Sequence, residues 1–377
     1  MSAGAPILEV RGLRIRRGGA DLLDLPELSV AQGETLSLIG PNGAGKSTLL
    51  LALSGIESPY AGELLFRGAR IPAGAAALGY RRRVAMVFQE PLLFDTTVFE
   101  NVATGLRLRD LPKGEIARRV AESLERFKIG HLASRSARTL SGGEAQRASI
   151  ARALAVAPEI LLLDEPFAAL DPPAREALLE DLAHTLRETG TTTVFATHDR
   201  TEAQRLADRV AVLDCGRLRQ IGTADEVLRR PADTFVAAFV GVENLLPIRL
   251  VPAAAGGEFR ALLIGVGLSR GDDGHDGVSL EIGGAAPGLT VGSAGLLCVR
   301  PEDVEIEVAA AAAAPNRLPG TVVAVVQQGP FLKVSVECGV MIVALISGHL
   351  ARELAVRPGS PVTVALPLSN LYAIPQG

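Results

Sequence analysis

Residues 40–48 combine three glycines, a lysine and two hydroxyls in one short run. The run is Gly40-Pro41-Asn42-Gly43-Ala44-Gly45-Lys46-Ser47-Thr48. Glycines permit the tight, partly left-handed backbone that lets successive N–H groups converge on a phosphate at the start of a helix. Lys46 is then placed for the β- and γ-phosphates of a nucleotide, Ser47 for Mg²⁺ and Thr48 for the α-phosphate. The run, here called the cradle, predicts nucleotide binding.

Two acidic residues follow an apolar run further along the chain. Residues 160–163 are continuously apolar, which is typical of a strand buried in a parallel sheet, and Asp164 and Glu165 come next. We expect Asp164 to hold Mg²⁺, directly or through water. We expect Glu165 to orient and deprotonate the water that attacks the γ-phosphate, and such general-base help typically contributes ~10²–10⁴-fold. A solvated acidic loop is the alternative, but the strand directs both carboxylates toward the cradle.

Strands and helices that must position these groups alternate over the first part of the chain. Apolar strand patterns occupy residues 34–39, 84–88, 192–196 and 210–213, and helical patterns occupy 47–53, 97–124, 150–157 and 174–187. This alternation predicts a parallel sheet covered by helices. The alternating residues 7–15 predict an edge strand.

The composition changes near residue 240. Short β-type runs separated by Gly and Pro follow, at 246–251, 278–282, 296–299, 304–308, 321–326, 332–336, 340–346 and 362–366. They predict a small all-β barrel or sandwich. We expect a loop at 265–277 and a spacer at 309–314. The prediction is therefore an α/β domain over 1–240, with a helical part at about 90–158, and a β-rich domain over 241–377.

Composition limits the possible functions. The 377 residues have room for two domains, and a net charge of −4 argues against a broad basic face for nucleic acid. The three distant cysteines, Cys215, Cys298 and Cys338, predict free thiols in a reducing cytosol. The start of the sequence lacks a signal-peptide pattern, and no apolar run approaches the ~18 residues that cross a bilayer. We therefore expect a cytosolic protein that reaches a membrane, if at all, by docking on a membrane protein.

Several further motifs, in order, give residues 1 to about 240 a resemblance to the ATP-binding-cassette (ABC) ATPases. Gln89 resembles the glutamine that senses Mg²⁺ and couples to a membrane partner. Residues 140–147, Leu-Ser-Gly-Gly-Glu-Ala-Gln-Arg, resemble the signature loop, with Glu144 where glutamine is commoner. Asp171 ends a run that resembles the D-loop, and His198 resembles the switch histidine. His198 taken alone would be a packed or surface histidine.

The resemblance implies ATP and Mg²⁺ as cofactors and a two-chain mechanism. Two copies would enclose two ATP molecules, each held by the cradle of one chain and by Ser141, Gly142 and Gly143 of the other. Loss of the γ-phosphate would weaken the dimer, because a ligand that binds only the closed state shifts the equilibrium toward it. The implied catalytic residues are Lys46, Gln89, Glu165 and His198, with Mg²⁺ held by Ser47, Gln89 and Asp164.

One position departs from the family pattern. Members usually carry an aromatic residue that stacks on adenine before the first hairpin, and Arg17 occupies that place here. A guanidinium plane can also stack on a base. We therefore expect nucleotide binding to persist with less discrimination between bases.

The C-terminal region resembles the TOBE domains of importer ATPases. Residues 300–303, Arg-Pro-Glu-Asp, match a phrase frequent in them, and 243–246, 316–322 and 344–354 resemble molybdate and tungstate importers with a Mop-like module. Polar groups that hold the oxyanion there are replaced, at 313–315 and by Leu350 and Pro367. We expect the module to keep its OB-like barrel and dimerise, yet bind oxyanion weakly or not at all.

The implied function is the ATP-hydrolysing subunit of an oxyanion importer, with tungstate or molybdate favoured. Sulfate, ferric iron, polyamine or sugar import is the alternative, followed by a soluble regulatory ABC ATPase. A non-hydrolysing ATP-gated module is disfavoured by Asp164, Glu165 and His198.

The implied partners are a second copy, integral-membrane permease subunits and, indirectly, a periplasmic solute-binding protein, with no nucleic acid. The expected location is peripheral, on the cytoplasmic face of the inner membrane. Residues 89–109 are expected to grip a short permease helix through an apolar helical surface, although these side chains could instead pack inside the domain. The side chains are Leu92, Leu93, Phe94, Val98 and Phe99.

Overall fold

The computed structural model describes residues 6–252, 259–264, 278–307 and 315–376. The chain divides into two compact units, Met1–Ala224 and Asp225–Gly377. The loop predicted at 265–277 and the spacer predicted at 309–314 lie outside the described residues. All three cysteines are free thiols. In the described ranges, no helix combines the length and apolar character that crossing a membrane requires.

The first unit alternates strands and helices. Its elements are β1 (Pro6–Arg17), β2 (Ala20–Ala31), β3 (Thr35–Ile39), α1 (Lys46–Leu53), β4 (Ala61–Phe66), β5 (Ala69–Arg70), α2 (Leu78–Arg81), β6 (Val84–Val87), α3 (Val98–Arg107), α4 (Lys113–Arg126), α5 (Gly142–Ala155), β7 (Ile160–Asp164), α6 (Pro172–Thr189), β8 (Thr192–Thr197), α7 (Arg200–Leu206), β9 (Arg209–Asp214) and β10 (Arg217–Thr223).

A six-stranded sheet in the order β10-β9-β3-β8-β7-β6 forms the centre of this unit. The strands from β9 to β6 are parallel, and β10 pairs antiparallel with β9. Every residue of β3, β7 and β8 is buried, which explains the continuous apolar run of β7 before Asp164 and the absence of charged residues in β3 and β8. Because the strands are parallel, the cradle, Gln89, Asp164 and His198 all emerge at one edge of the sheet.

A second, antiparallel sheet has the order β2-β1-β4-β5. Strand β1 lies between β2 and β4, so the prediction of an edge strand was wrong. Alternation along a strand reports which of its two faces is buried, and it carries no information about its edges.

Helices α3, α4 and α5 pack around a core that includes Val102, Val120, Phe127 and Ile150. The single helical pattern predicted from 97 to 124 forms two helices, α3 and α4. The helix is interrupted between Arg107 and Lys113. Pro112, which has no backbone N–H to donate, directly precedes the first residue of α4.

The second unit is mainly β-structure. Its elements are α8 (Ala224–Arg229), which starts at the boundary, α9 (Thr234–Phe239), β11 (Asn244–Pro252), β12 (Phe259–Leu263), β13 (Ser279–Glu281), β14 (Gly284–Ala285), β15 (Ala294–Val299), β16 (Glu305–Glu307), β17 (Arg317–Gln328), β18 (Phe331–Glu337), β19 (Met341–Ser347), α10 (Gly348–Glu353), β20 (Pro361–Ala365) and β21 (Tyr372–Pro375).

Two sheets enclose the core of the second unit. Their orders are β13-β12-β11-β15-β21-β14 and β16-β20-β17-β18-β19, and both contribute to one cluster of buried apolar side chains. The pairings are antiparallel except between β14 and β21. The predicted α/β fold followed by an all-β domain is confirmed.

Candidate functional site

The cradle backbone requires glycine at two positions. A Cβ at Gly40 would lie 2.2 Å from the Leu213 carbonyl oxygen, and a Cβ at Gly45 would lie 2.7 Å from the Leu23 side chain. Gly45 adopts a left-handed conformation (φ 98°) as the N-cap of α1 and supplies no capping side chain. The first N–H groups of α1 are therefore left for an anion, at the positive end of the helix.

Lys46 is buried in the cradle. Its ammonium donates hydrogen bonds to the carbonyl oxygens of Gly40, at 2.7 Å, and Pro41, at 3.1 Å. Burial lowers the pKa of Lys46, against the opposing effect of nearby Glu165. These loop carbonyls hold the ammonium inside the cradle, and the contact of Lys46 with the β- and γ-phosphates stays a prediction.

Ser47 and Asp164 meet at the mouth of the cradle. The Ser47 hydroxyl donates to Asp164 Oδ1 at 3.0 Å. Asp164 ends β7 at 9 % exposure, and burial raises its pKa while the Ser47 hydrogen bond opposes that shift. Hydroxyl and carboxylate oxygens are the hard ligands that Mg²⁺ prefers, and a cation would relieve the cost of this buried carboxylate. The residues therefore fit a magnesium site.

Glu165 lies between the cradle and His198. Its Oε1 is 3.8 Å from Lys46 Nζ, and its Oε2 is 3.1 Å from His198 Nδ1. The residue has a left-handed backbone (φ 43°), and its N–H donates to the Ala196 carbonyl at 3.0 Å. With this backbone conformation the carboxylate lies between the Lys46 ammonium and the His198 ring.

Gln89 follows β6 by two residues and is exposed. Because β6 is parallel to β7, Gln89 emerges at the same sheet edge as Asp164. Among the described residues its side chain forms no hydrogen bond. The exposed amide therefore keeps its donors and acceptor free of other side chains and backbone groups.

A polar network behind His198 was missed in the sequence. The Thr197 hydroxyl donates to Glu202 and accepts the Asp199 N–H at 3.0 Å. Arg175, on α6, lies 3.4 Å from Asp199 Oδ2. The N-cap of α6 is Asp171, which accepts a hydrogen bond from a first-turn N–H at 2.8 Å. The network ties the D-loop helix to the histidine loop, and only through-space contacts could have found it.

The signature loop ends in a helix cap. Ser141 is the N-cap of α5, with its hydroxyl accepting the Glu144 N–H at 3.3 Å and its own N–H donating to Glu144 at 2.7 Å. The Ser141 N–H lowers the pKa of Glu144. Ser141 and Gly142 are exposed. Within the described part of the chain, no hydrogen bond or ion pair joins residues 141–143 to the cradle.

Arg17 is the last residue of β1 and is 61 % exposed on its side chain. Its guanidinium forms an ion pair and hydrogen bond with Glu57 through Nη2. The structure therefore gives the predicted base-stacking residue a partner that the sequence did not reveal.

The apolar residues after Gln89 divide into two groups. Val98 is fully buried, and Leu93 and Phe99 pack against the core of helices α3–α5. Only Leu92 and Phe94 are exposed, at 57 % and 55 %. The prediction that all five side chains form one helical contact surface was wrong for Leu93, Val98 and Phe99. Helix α3 begins only at Val98, and that residue points into the core.

Exposed Leu78 and Leu108 lie at a neighbouring cleft of about 430 Å³, here called the docking cleft. Its lining is mainly apolar, and four arginines contribute to it: Arg81, Arg82, Arg109 and Arg152.

A half-buried arginine and a buried asparagine hold the loop beside this cleft. Arg152, on α5, donates to the carbonyls of Leu92 at 3.0 Å and Pro91 at 3.1 Å. Asn101 accepts the Phe94 N–H at 2.8 Å and donates to the Phe94 carbonyl at 3.0 Å. The loop that carries the exposed Leu92 and Phe94 is thereby fixed to the helix that begins at the signature loop.

Polar residues of the C-terminal motifs bind backbone. Asn244 donates to the Val343 carbonyl at 2.9 Å and accepts the Val343 N–H at 2.7 Å. Asn316 makes the same pair of hydrogen bonds with the Glu281 backbone, at 2.8 and 2.9 Å. Arg300 donates to a carbonyl at the end of α8 at 2.6 Å. These motif residues hold the fold together.

Comparison with known proteins places the same motifs in two families. A family model described as ABC transporter matches residues 23–168, and one described as TOBE domain matches residues 297–374. The sulfate/thiosulfate import ATP-binding protein of Caulobacter vibrioides is 44 % identical over 272 residues, which are 71 % of this chain and 78 % of the relative. The spermidine/putrescine import ATP-binding protein of Nitratidesulfovibrio vulgaris is 41 % identical, over 69 % of this chain and 70 % of the relative. The Fe(3+) ions import ATP-binding protein of Streptomyces coelicolor is 43 % identical, over 66 % and 71 %.

Two solved structures resemble the chain in fold. CbiO1 of Clostridium perfringens, part of an ABC transporter complex, gives a TM-score of 0.57 at 32 % identity and covers 63 % of this chain and 96 % of its own. A dimeric ATP-binding cassette in a post-hydrolysis state, bound to ADP and phosphate, gives a TM-score of 0.53 at 29 % identity and covers 58 % of this chain and 98 % of its own.

Proposed function

The chain belongs to the ATP-binding, ATP-hydrolysing subunits of ABC transporters, with a C-terminal TOBE domain, and from this premise we propose that it energises solute import through a membrane permease. The observation that carries the proposal is the convergence of three functions at one sheet edge. Lys46 lies in the cradle, Ser47 and Asp164 form a hard-oxygen pair, and Glu165 contacts His198. Phosphate binding, cation binding and water activation thus have separate groups within one site.

The residues divide the chemistry between them. The phosphates of ATP bind the backbone N–H groups of the cradle, and Lys46 exchanges the Gly40 and Pro41 carbonyls for phosphate oxygens. Ser47, Asp164 and Gln89 would hold Mg²⁺, which supplies charge neutralisation on the β- and γ-phosphate oxygens. Glu165 takes the proton of the attacking water, and His198 orients Glu165 through their 3.1 Å contact.

Two chains complete each site in this proposal. Ser141, Gly142 and Gly143 are expected to meet the γ-phosphate held by a second copy, with the positive end of α5 behind them. Asp171, at the start of α6, lies on the adjoining loop: a Cβ at Gly143 would be 3.7 Å from the Leu170 side chain. The exposure of Ser141 and Gly142, and their separation from the cradle of their own chain, support this arrangement.

The docking cleft supports a membrane partner. Exposed leucines beside four arginines fit a short amphipathic helix that carries acidic side chains. A cytoplasmic loop of an integral permease offers such a helix, which would place the chain at the cytoplasmic face of the membrane. Arg152 connects this contact to α5, so that a movement of the permease loop reaches the signature loop.

A small oxyanion is the substrate that we favour. The Caulobacter relative is named for sulfate and thiosulfate. In the motifs that suggested molybdate or tungstate, the Asn244 and Asn316 side chains form hydrogen bonds with backbone groups of other strands. We therefore place sulfate or thiosulfate ahead of molybdate and tungstate, with delivery by a periplasmic binding protein. The relatives named for polyamine and ferric iron import give the alternatives.

The Glu165→Gln variant tests the mechanism on the full chain. We expect hydrolysis to fall by ~10²–10⁴-fold, with magnesium ATP converting the variant from monomer to dimer in sedimentation. Glu188→Gln, which removes an exposed carboxylate of α6, is the matched control and should behave as the parent. A variant that stays monomeric with magnesium ATP, or turns over at the parental rate, contradicts the proposal. Uptake of labelled sulfate and molybdate by cells that carry the chain and its permease then distinguishes the substrates.

A further inference from the structure

Arg175 joins helix α6, which begins after Asp171, to the loop that carries His198. It lies in the first turn of α6, where its N–H donates to the Asp171 carbonyl at 2.9 Å. Its guanidinium Nη1 lies 3.4 Å from Asp199 Oδ2, which makes a long hydrogen bond within an ion pair. Asp199 directly follows His198 and caps α7 by accepting the Thr201 N–H at 2.7 Å. Arg175 therefore restrains the chain on one side of the histidine.

The Nε group of Arg175 is a covered donor without a hydrogen-bond partner in the described ranges. The side chain as a whole is 37 % exposed. The Glu202 carboxylate is close, with its Oε1 3.9 Å from Nε, which exceeds an ordinary hydrogen-bond distance by about 1 Å. Covered donors that lack a partner are costly and rare in folded proteins, and a role in function is one reason for a chain to retain one.

Glu202 restrains the chain on the other side of the histidine. It is 5 % exposed and accepts a hydrogen bond from the hydroxyl of Thr197, the residue before His198. The same hydroxyl accepts the Asp199 N–H at 3.0 Å. Burial raises the pKa of Glu202, and an approaching guanidinium would favour the ionised carboxylate. Arg175 thus faces both carboxylates that fix the residues flanking the histidine.

We propose that Arg175 is a positioning residue that holds His198 against Glu165 during hydrolysis. It acts by bonding Asp199 and, through Nε, Glu202. The His198 ring is 57 % exposed, so little packing fixes it and its orientation depends on the residues that flank it. The inference rests on the proposed function, in which the 3.1 Å contact of His198 orients the carboxylate that takes the proton of the attacking water. Arg175 touches neither the nucleotide nor the water in this reaction.

A second arginine that joins the same two helices provides a matched control. Arg205, on α7, forms an ion pair with Glu176 of α6 at 2.6 Å. Its side chain is 36 % exposed, close to the exposure of Arg175. Within the described residues its ion-pair partners are Glu176 and Glu180, and neither belongs to residues 197–202. Arg205→Ala therefore tests whether a bridge between the helices is by itself enough for activity.

Steady-state hydrolysis by the full chain tests the inference. Arg175→Ala should lower kcat by about ten- to a hundredfold, because a small misplacement of a reacting group is enough for such a loss. The KM for ATP should stay within about twofold, since Arg175 lies outside the cradle. Arg175→Lys, which keeps the charge without the Nε donor, should fall between Arg175→Ala and the parent, and Arg205→Ala should match the parent. An Arg175→Ala variant with the parental kcat, or an Arg205→Ala variant with the same loss, overturns the inference.

The His198→Ala background separates a positioning role from a structural one. There Arg175→Ala should have no further effect on kcat, because its action passes through the histidine. In the Glu165→Gln background, Arg175→Ala should still dimerise with magnesium ATP in sedimentation, which reports a folded chain that binds nucleotide. A further loss of the full size in the His198→Ala background overturns this inference alone, and so does loss of the dimer. A His198→Ala variant that turns over at the parental rate overturns the proposed role of the histidine, and this inference with it.

Discussion

The cradle edge of the first unit and the motif residues of the second unit use polar side chains in opposite ways. At the cradle edge, Lys46 bonds two loop carbonyls and His198 is 57 % exposed, so a ligand can replace or join their partners. In the second unit, Asn244 and Asn316 each bond both backbone groups of a partner strand residue. A polar motif indicates a ligand site when its side chains can exchange or add hydrogen-bond partners. It indicates a structural role when the side chains hold neighbouring strands through backbone hydrogen bonds.

The largest expected difference between the two regions comes from replacing one lysine in each of them by alanine. Lys46→Ala should lower kcat by at least ~10²–10³-fold, the loss expected when one charge-stabilising donor is removed, and should weaken nucleotide binding. Lys333→Ala in the second unit removes an ammonium 2.5 Å from Glu243 and should leave hydrolysis at the parental level. Steady-state hydrolysis and calorimetry measure both. Similar losses in the two variants would contradict the division.

Asn244 should matter for stability alone. Asn244→Ala leaves the Val343 N–H and carbonyl without their partner, and each buried group left unpaired costs about 1–3 kcal/mol. We expect the free energy of unfolding of the second unit to fall by about 2–4 kcal/mol in a urea titration, with hydrolysis unchanged at temperatures where the variant is folded. Asn370→Ala, at a half-buried position where the side-chain oxygen bonds the neighbouring Ser369 hydroxyl, is the control. Parental stability together with altered oxyanion binding would contradict this and show that the motif binds a ligand.

Asp164 in the first unit and Asp303 in the second unit allow the two regions to be compared by the pH dependence of stability. Burial raises the pKa of both, so each ionised carboxylate lowers the free energy of unfolding at neutral pH. Asp164→Asn and Asp303→Asn should both raise the unfolding midpoint at pH 7–8. The gain should shrink as the pH falls toward about 4, where unfolded aspartate is protonated. Only Asp164→Asn should abolish hydrolysis. Loss of hydrolysis in Asp303→Asn as well would show that the second unit takes part in the chemistry.

The smallest expected effect concerns Glu144. Glutamine at the third helical position also completes a capping box, so Glu144→Gln should change the free energy of unfolding by less than about 0.5 kcal/mol. Removing the charge should tighten the ATP-dependent dimer a few-fold, because a carboxylate at the start of α5 repels the γ-phosphate of the partner. Sedimentation of both forms in the Glu165→Gln background measures this. Glu144→Ala separates charge from capping, since it also leaves the Ser141 N–H without its side-chain acceptor, at a cost of about 0.5–1.5 kcal/mol, while the Ser141 hydroxyl still caps the helix. A weaker dimer in Glu144→Gln would contradict the repulsion.

Local sequence was sufficient where one segment builds one function. The cradle carries its glycines, lysine and hydroxyls consecutively. In the structure a Cβ would clash at Gly40 and Gly45, and the Ser47 hydroxyl donates to Asp164. Strand patterns also placed Asp164 at the end of a buried strand, because a continuous apolar run is buried on both faces.

Sequence was insufficient where distant segments meet. The contacts of Arg152 with the loop at Leu92, and of Arg17 with Glu57, join residues far apart in the chain. Phe94 and Val98 are equally apolar, yet one is exposed and the other is buried, because α3 begins between them. The sequence motif that contains Asn244 did not reveal its backbone partner on β19, which is 99 residues away in the chain.

The left-handed backbone of Glu165 bears on protein engineering. A non-glycine residue held at φ 43° costs of order 1–3 kcal/mol, and glycine accepts that conformation freely. Selection of this chain for heat resistance should therefore enrich Glu165→Gly among the survivors. Such survivors would be thermostable and unable to turn over, so a melting-temperature screen run without an activity assay would accumulate inert proteins.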